Sequence, residues 1–208
     1  QLREDLYKNN DIEREPLEFS NRTLRRIFAY SSYDHGGRFY GGWWQGCPKQ
    51  LRKHIRIQGQ KVTVEMDFST IQPRILYAMV DEDAPNDSYQ VDGWDHVDRE
   101  VRKKAFNQLI NSDPSSKPKA QWHRFAPDYP AKSLPPECKD MNKGALNKFK
   151  NSKFETEAGR GYKDLLSDLY DKHKPIDECF FSKSWSLMQR KDSDIAERVM
   201  VKMLDNGV

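Results

Sequence analysis

Between Lys61 and Asp67 apolar and polar residues alternate, with Val62, Val64 and Met66 set against Lys61, Thr63 and Glu65. That period of two predicts a strand with one buried face. Ile55 to Gln58 predicts its partner across a Gly59 turn. Ahead of this hairpin, Leu24, Ile27 and Phe28 predict a helix running from a Ser20 or Asn21 cap to about Tyr30, because a side-chain oxygen there satisfies an orphan N–H. Gly36-Gly37-Arg38-Phe39-Tyr40-Gly41-Gly42-Trp43-Trp44 follows. Its glycines allow sharp turns, and its aromatic rings seek burial or stacking. Pro48 predicts the start of a short basic helix ending near His54. The first 19 residues are mostly polar, apart from Leu17 and Phe19, and are expected to be a loosely held lead-in.

Beyond the hairpin, Ser69 or Thr70 is the expected cap of a helix from Ile71 to about Val80. Pro73 falls in its first turn, where a missing N–H costs little. An acidic loop, Asp81 to Asn86, precedes a helix predicted from Trp94 or Asp95 to Asn111. Ser112 to Cys138 holds six prolines and predicts a long loop or surface excursion. Further helices are expected over Met141–Phe149, Glu155–His173, Pro175–Phe181 and Trp185–Leu204, the last with Met188, Ile195, Val199 and Met203 close to helical spacing. The class these elements predict is α+β.

Composition narrows the field. The 208 residues suffice for one ordinary domain or two small ones. With 12% aromatic residues the chain reads as a packed globule even though 32% of it is charged. No apolar run reaches the roughly 18 residues a membrane span needs. Cys47, Cys138 and Cys179 are widely spaced without a CxxC pair, which excludes a disulfide scaffold and predicts a reducing, cytoplasmic setting. The histidines, at 35, 54, 96, 123 and 173, show neither HxxxH nor HExxH spacing, and there is no GxSxG or Walker A loop. The chain opens on Gln1 and stops at Val208 directly after a helical pattern, so a piece of something longer is expected.

Three places carry candidate chemistry. Asp67 ends the alternating strand just before a helix. A carboxylate held at a strand end suits Mg²⁺, which takes one or two carboxylates plus substrate phosphates; helix capping by the same aspartate is the commoner use. On the helix to Asn111, Val97, Val101, Ala105 and Leu109 make an apolar stripe opposite Arg99, Lys103 and Asn107. Such a cationic ladder can hold a triphosphate, or simply be a solvated face. The third place is basic and aromatic: Arg38, Phe39, Tyr40, Trp43, Trp44, Lys49, Arg52, Lys53, His54 and Arg56, with no acid between Lys49 and Lys61. Phosphates attract such cations and bases stack on such rings, while a soluble exterior accounts for the same residues.

Asp67-Phe68-Ser69-Thr70-Ile71-Gln72-Pro73-Arg74 resembles the first palm motif of family A DNA polymerases, Asp-Tyr-Ser-x-Ile-Glu-x-Arg, with Asp, Ser, Ile and Arg in register. Gly37-Arg38, Gln45, Pro48 and Arg52 are similar to that family's primer-binding stretch, and Arg99-x3-Lys103 to its triphosphate-gripping fingers helix. Leu187-Met188-Gln189 with Asp194-Ile195 resembles its Leu-x-Gln-x4-Asp-Ile helix. The likeness runs over about residues 36–208. It implies an incomplete palm-like antiparallel sheet with a helical, fingers-like excursion. The implied domains are a lead-in and helix over 1–35, palm-like strands and the first motif over 36–80, a fingers-like region over 81–183, and a helix returning to the palm over 184–208. The implied reaction is template-directed attack of a primer 3′-hydroxyl on a nucleoside triphosphate by two-metal catalysis. In it Asp67 binds Mg²⁺ together with the Phe68 carbonyl, Arg99 and Lys103 hold the triphosphate, and Gln72 sits beneath the sugar. Arg38, Arg52 and Gln189 touch primer or template. The implied partners are primer–template DNA and nucleoside triphosphates, with no membrane.

Three departures qualify the resemblance. Gln72 stands where the family has a glutamate, Asn107 where it has an aromatic ring, and no Tyr-Gly follows. The family's second metal-binding aspartate, in a His-Asp turn after the last helix, has no counterpart before Val208, so these residues alone are expected to be inactive. The alternatives are a relative of single-subunit RNA polymerases, a non-catalytic nucleic-acid-binding module of polymerase-like shape, and a structural α+β domain.

Overall fold

Arg25–Phe28 forms a strand, β1, where a helix was expected, and pairs antiparallel with β2, Gly36–Tyr40. Arg26 explains why. Its guanidinium lies on the half-buried face of β1, donates to the Gly37 carbonyl at 2.8 Å, and stacks over the rings of Phe28 and Phe39. The half-buried residues therefore alternate, and the Leu24, Ile27, Phe28 spacing selects no helix face. Tyr30 and Ser31 take positive φ in the connecting turn, and the register shifts between Ile27 and Phe28 opposite Gly36, whose φ is 73°.

The computed structural model describes residues 19–57, 61–182 and 184–207; the expected lead-in before Phe19 and the Gly59 turn lie outside them. The chain divides into two compact units, each described here by itself. One comprises the described residues up to Ser69 and from Ser193 onward; the other is Thr70–Asp192.

In the first unit a short helix, α1, spans Lys49–Arg52 after Pro48, as expected. The second hairpin is shorter than its sequence pattern: β3 is Arg56–Ile57 and β4 only Lys61–Val62. Val64 and Met66 are 78% and 82% exposed, so the alternation has no buried face. Without a second layer over them, these side chains give the strand no reason to continue. Among the described residues of this unit buried apolar side chains are few, Cys47 and Leu51 among them.

The second unit holds most of the core. Helix α2 spans Ile71–Met79 and α3 spans Arg99–Asn111. Helix α4 is Lys143–Ala158, α5 is Tyr162–Lys172, and α6 is Trp185–Asp205, which continues into residues of the first unit. Thr70 occupies the cap position of α2 but in the left-handed region, φ 53°, and its side chain makes no capping bond; its hydroxyl accepts from Arg74 Nε instead. Helix α3 begins later than expected because Asp98 caps it, accepting from the Glu100 N–H, while Trp94 packs as a fully buried anchor before it. The break between α4 and α5 falls at Gly159, φ 70°, and not near Asn151, since glycine alone enters that conformation without strain.

Phe106, Leu109 and Ile110 of α3 interlock with Leu165, Leu166 and Leu169 of α5. The proline-rich segment is not merely a surface excursion. Between Pro114 and Asp140 it forms four successive 3-10 turns and buries Trp122, whose ring stacks near Phe181. Prolines remove helix donors and favour such short turns, so the apolar anchors set its path. On α6, Met188 is buried, but Val199 and Met203 are exposed, so the expected apolar stripe holds only at its start. No helix among the described residues is long and apolar enough to cross a membrane.

Candidate nucleic-acid interface

From Trp43 to Arg56 the basic, aromatic stretch lines one groove of the first unit; Arg38, Phe39, Tyr40 and His54 lie outside its lining. After β2 the backbone turns at Gly41, φ 115°. Gln45 fixes that turn: its Oε1 accepts from the Gly41 N–H at 3.0 Å and its Nε2 donates to the Phe39 carbonyl at 2.8 Å. A 3-10 turn, Trp43–Gly46, then presents two half-buried indoles edge to face, 6.1 Å apart. Leu51 anchors α1 on its inner side, leaving Lys49 and Lys53 exposed.

Opposite the indoles run Ile55–Ile57 and Thr63–Glu65, closing a groove of about 870 Å³. Thr63 Oγ1 donates to the Ile55 carbonyl at 3.2 Å and braces the hairpin beyond its ladder. Arg56 Nη1 donates to the carbonyls of Lys53 and Ile55, which holds its guanidinium at the lip. Arg52 donates through Nε to the Cys47 carbonyl at 3.0 Å and pairs through Nη1 with Glu65. Burial pushes the neighbouring Cys47 thiol up, against the opposing pull of Arg52. Lys49, Lys53 and Arg56 have no acidic partner among the described residues. Four cations and one carboxylate thus line a groove walled by two tryptophans, an arrangement able to take phosphates on one side and base faces on the other.

The other expected site residues divide between the two units, Arg38, Asp67 and Phe68 in the first and Gln72, Arg99, Lys103 and Gln189 in the second. Asp67 is not at a strand end: it lies in irregular, exposed chain five residues past Val62, with no hydrogen bond or ion pair among the described residues. Phe68 beside it is exposed. Among the described residues no group of three or more His, Cys, Asp or Glu side chains gathers to hold a metal ion, and Asp67 offers a single exposed carboxylate. Gln72 is half-buried in the first turn of α2, and Gln189 half-buried on α6. Arg38 is exposed on β2.

Arg99 and Lys103 share an exposed side of α3, as expected, but their charges are partnered. Arg99 Nε and Nη2 reach the two Asp87 oxygens at 3.1 and 3.3 Å, over the Tyr89 ring, and Lys103 lies 3.7 Å from Glu100. The Arg99 guanidinium and the N–H of Tyr89 hold the Asp87 carboxyl below the usual range, against a burial effect that raises it. Asp87 is distant in sequence and loop-borne, which is why the helical spacing of the ladder does not disclose it. The sequence reading also passed over Ile55, Ile57, Thr63 and Glu65 as groove residues; the signal for them is their position directly across the hairpin from the basic helix. Compared with known proteins, the chain matches no family model, no curated protein and no solved structure.

Proposed function

We propose that this chain binds nucleic acid along the Trp43–Arg56 groove, as the primer–template-holding part of a polymerase of the kind its Asp67–Arg74 motif resembles. The observation that carries the reading is the groove: two indoles facing cations, three of which lack an acidic partner among the described residues. Asp67 stands two residues beyond the groove-lining Glu65, where the resemblance sets the first metal-binding carboxylate against the primer end. The described residues supply binding; nucleotidyl transfer belongs to the resemblance and is not built from them.

Fluorescence anisotropy with labelled primer–template and single-stranded oligonucleotides tests this. Binding is expected to weaken steeply between about 50 and 200 mM salt. Trp44→Ala combined with Arg56→Gln is expected to lower affinity about ten-fold or more, since base stacking on an aromatic ring contributes about 1–3 kcal/mol per base. Asp67→Asn leaves binding unchanged when no divalent ion is present. A folded sample that binds neither oligonucleotide at about 50 mM salt overturns the reading and leaves a structural α+β domain.

A further inference from the structure

A cleft of about 1160 Å³ in the second unit lies between α4 and the segment His123–Asp128. Three side-chain amides build its wall. Asn147 donates to the Arg124 carbonyl at 3.0 Å, Asn151 to the Phe125 carbonyl at 2.9 Å, and Gln108 of α3 to the Ala126 carbonyl at 2.9 Å. Consecutive carbonyls of an extended strip are thus each caught by one amide, so the strip is held along the helix without a β-ladder. Gln108 is itself fixed, its Oε1 accepting from the Tyr162 hydroxyl at 2.9 Å.

The cleft is strongly basic. Arg124, Lys143, Lys148 and Lys150 line it, and none has an acidic partner within ion-pair distance among the described residues. Two acids also line it: Asp128, already paired with Lys104 at 2.9 Å, and Glu155, which leaves four cations against one unpaired carboxylate among the described residues. One feature goes beyond charge: Phe125, half-buried, gives the cleft an aromatic ring.

We propose that this cleft binds a single nucleic-acid strand, independently of the Trp43–Arg56 groove. Phosphates meet the lysines and Arg124, and a base face meets Phe125. An acidic peptide satisfies the charges but has no comparable flat rings to set on Phe125. A free nucleotide offers a single short phosphate chain, whereas a strand supplies one phosphate per nucleotide to cations spread about 10 Å along the helix axis, from Lys143 to Lys150. The choice of nucleic acid as occupant rests in part on the groove reading; the cleft's cations and amides do not.

The test uses the full chain and separates the two sites. Lys143→Gln, Lys148→Gln and Lys150→Gln together keep good helix formers on exposed or half-exposed positions, so the fold is expected to survive. Affinity for a single-stranded oligonucleotide is expected to fall about ten-fold, and the slope of log affinity against log salt to flatten by about 2, at about 0.7 per lost phosphate contact. If this variant binds as the parent does while Trp44→Ala/Arg56→Gln weakens binding, the cleft proposal is overturned and the groove stands. If only the cleft variant weakens binding, the groove reading fails and the cleft stands. Acetylation footprinting of Lys143, Lys148 and Lys150 adds a direct reading. Protection by the oligonucleotide, and not by poly-glutamate of equal charge or by ATP, supports a nucleic-acid strand. Equal protection by poly-glutamate makes the occupant an acidic peptide, and equal protection by ATP makes it a free nucleotide; either overturns the proposal.

Discussion

The Tyr77 hydroxyl and Nδ1 of His173 lie 3.0 Å apart at the centre of the second unit. The other ring nitrogen lies 2.7 Å from the Ser88 carbonyl, which only accepts, so Nε2 carries a proton; burial keeps the imidazole neutral at pH 7, which leaves Nδ1 to accept from Tyr77. Phe106 and Phe180 close around the ring, and none of it is exposed. A histidine with both nitrogens engaged in an apolar box is a core group, and its environment makes it sensitive to pH.

Burial lowers His173 from 6.5 to about 4, outweighing its bond to Ser88. The unfolded chain therefore takes up a proton first as pH falls. This contribution to stability is complete above about pH 6.5 and is lost progressively down to about pH 4, amounting to about 3 kcal/mol in all. Urea unfolding at pH 8 and 5.5, a range above the carboxylate titrations, is expected to show a loss of about 1.4 kcal/mol. His173→Gln should lower stability at both values yet abolish most of the difference between them. A variant as pH-dependent as the parent assigns the effect elsewhere.

Gly42 is expected to control the groove through Trp44. Its φ of −65° and ψ of 131° suit alanine, but a Cβ there would stand 2.4 Å from the indole. Gly42→Ala therefore leaves the backbone unstrained and forces Trp44 out of place. Oligonucleotide affinity is expected to fall about five-fold or more, in line with one stacked base lost, with a far-UV spectrum like the parent's. Unchanged affinity would remove Trp44 from the proposed binding surface.

Where side chains and backbone signal locally, the sequence was legible. Pro48 marked α1, Pro73 marked the first turn of α2, and the mixed helix-and-hairpin class follows from the same local patterns. The basic, aromatic stretch was legible as chemistry, and Trp43, Trp44, Lys49, Arg52, Lys53 and Arg56 of it line one groove, whereas Arg38, Phe39, Tyr40 and His54 do not. The failures share one cause, which is tertiary context. Nothing local tells that Arg26 will sit on the inner face of β1, held by Asp194 and Glu197 from the far end of the chain at 3.0 and 2.8 Å. Nor does alternation from Val62 to Met66 tell whether a second layer exists to cover it. Asp87 neutralises Arg99 from a loop twelve residues away, outside any helical spacing.

Asp168 is expected to hold the entry to α3. Its Oδ2 accepts from the Trp94 indole N–H at 2.8 Å and from Arg160 at 2.9 Å, and that guanidinium covers the Trp94 ring at 4.5 Å. Trp94 is fully buried. Asp168→Ala leaves the indole N–H without its acceptor, at a cost of about 1–3 kcal/mol. Arg160→Ala removes only a partly exposed pair and a cation–π contact, which together contribute about 1 kcal/mol. Chemical denaturation of both variants should rank them in that order; the reverse order would show that Arg160, not Asp168, secures Trp94.

Arg102 lies on the buried side of α3, among the side chains that the expected apolar stripe was to supply. Only Nη1 finds a hydrogen bond with a resolved partner, to Gln90 Oε1 at 2.9 Å, and its Nε is buried with no partner. No acid pairs with it within ion-pair distance among the described residues, and its charge bears on Lys172, whose own pKa is lowered first by burial and also by Arg102. A buried cation with one hydrogen bond to a neutral amide, and with Asp87 near enough to feel its charge but not to pair with it, is poorly compensated for its lost hydration. Methionine follows much of the same path along the helix, has comparable helix propensity, and carries no donor to satisfy. Arg102→Met is therefore expected to leave stability unchanged or raise it by about 1 kcal/mol, whereas Arg102→Ala opens a cavity and lowers it. Thermal unfolding at pH 8 decides the matter: a methionine variant at least 2 kcal/mol less stable than the parent would mean that the guanidinium is stabilised by more than the Gln90 bond.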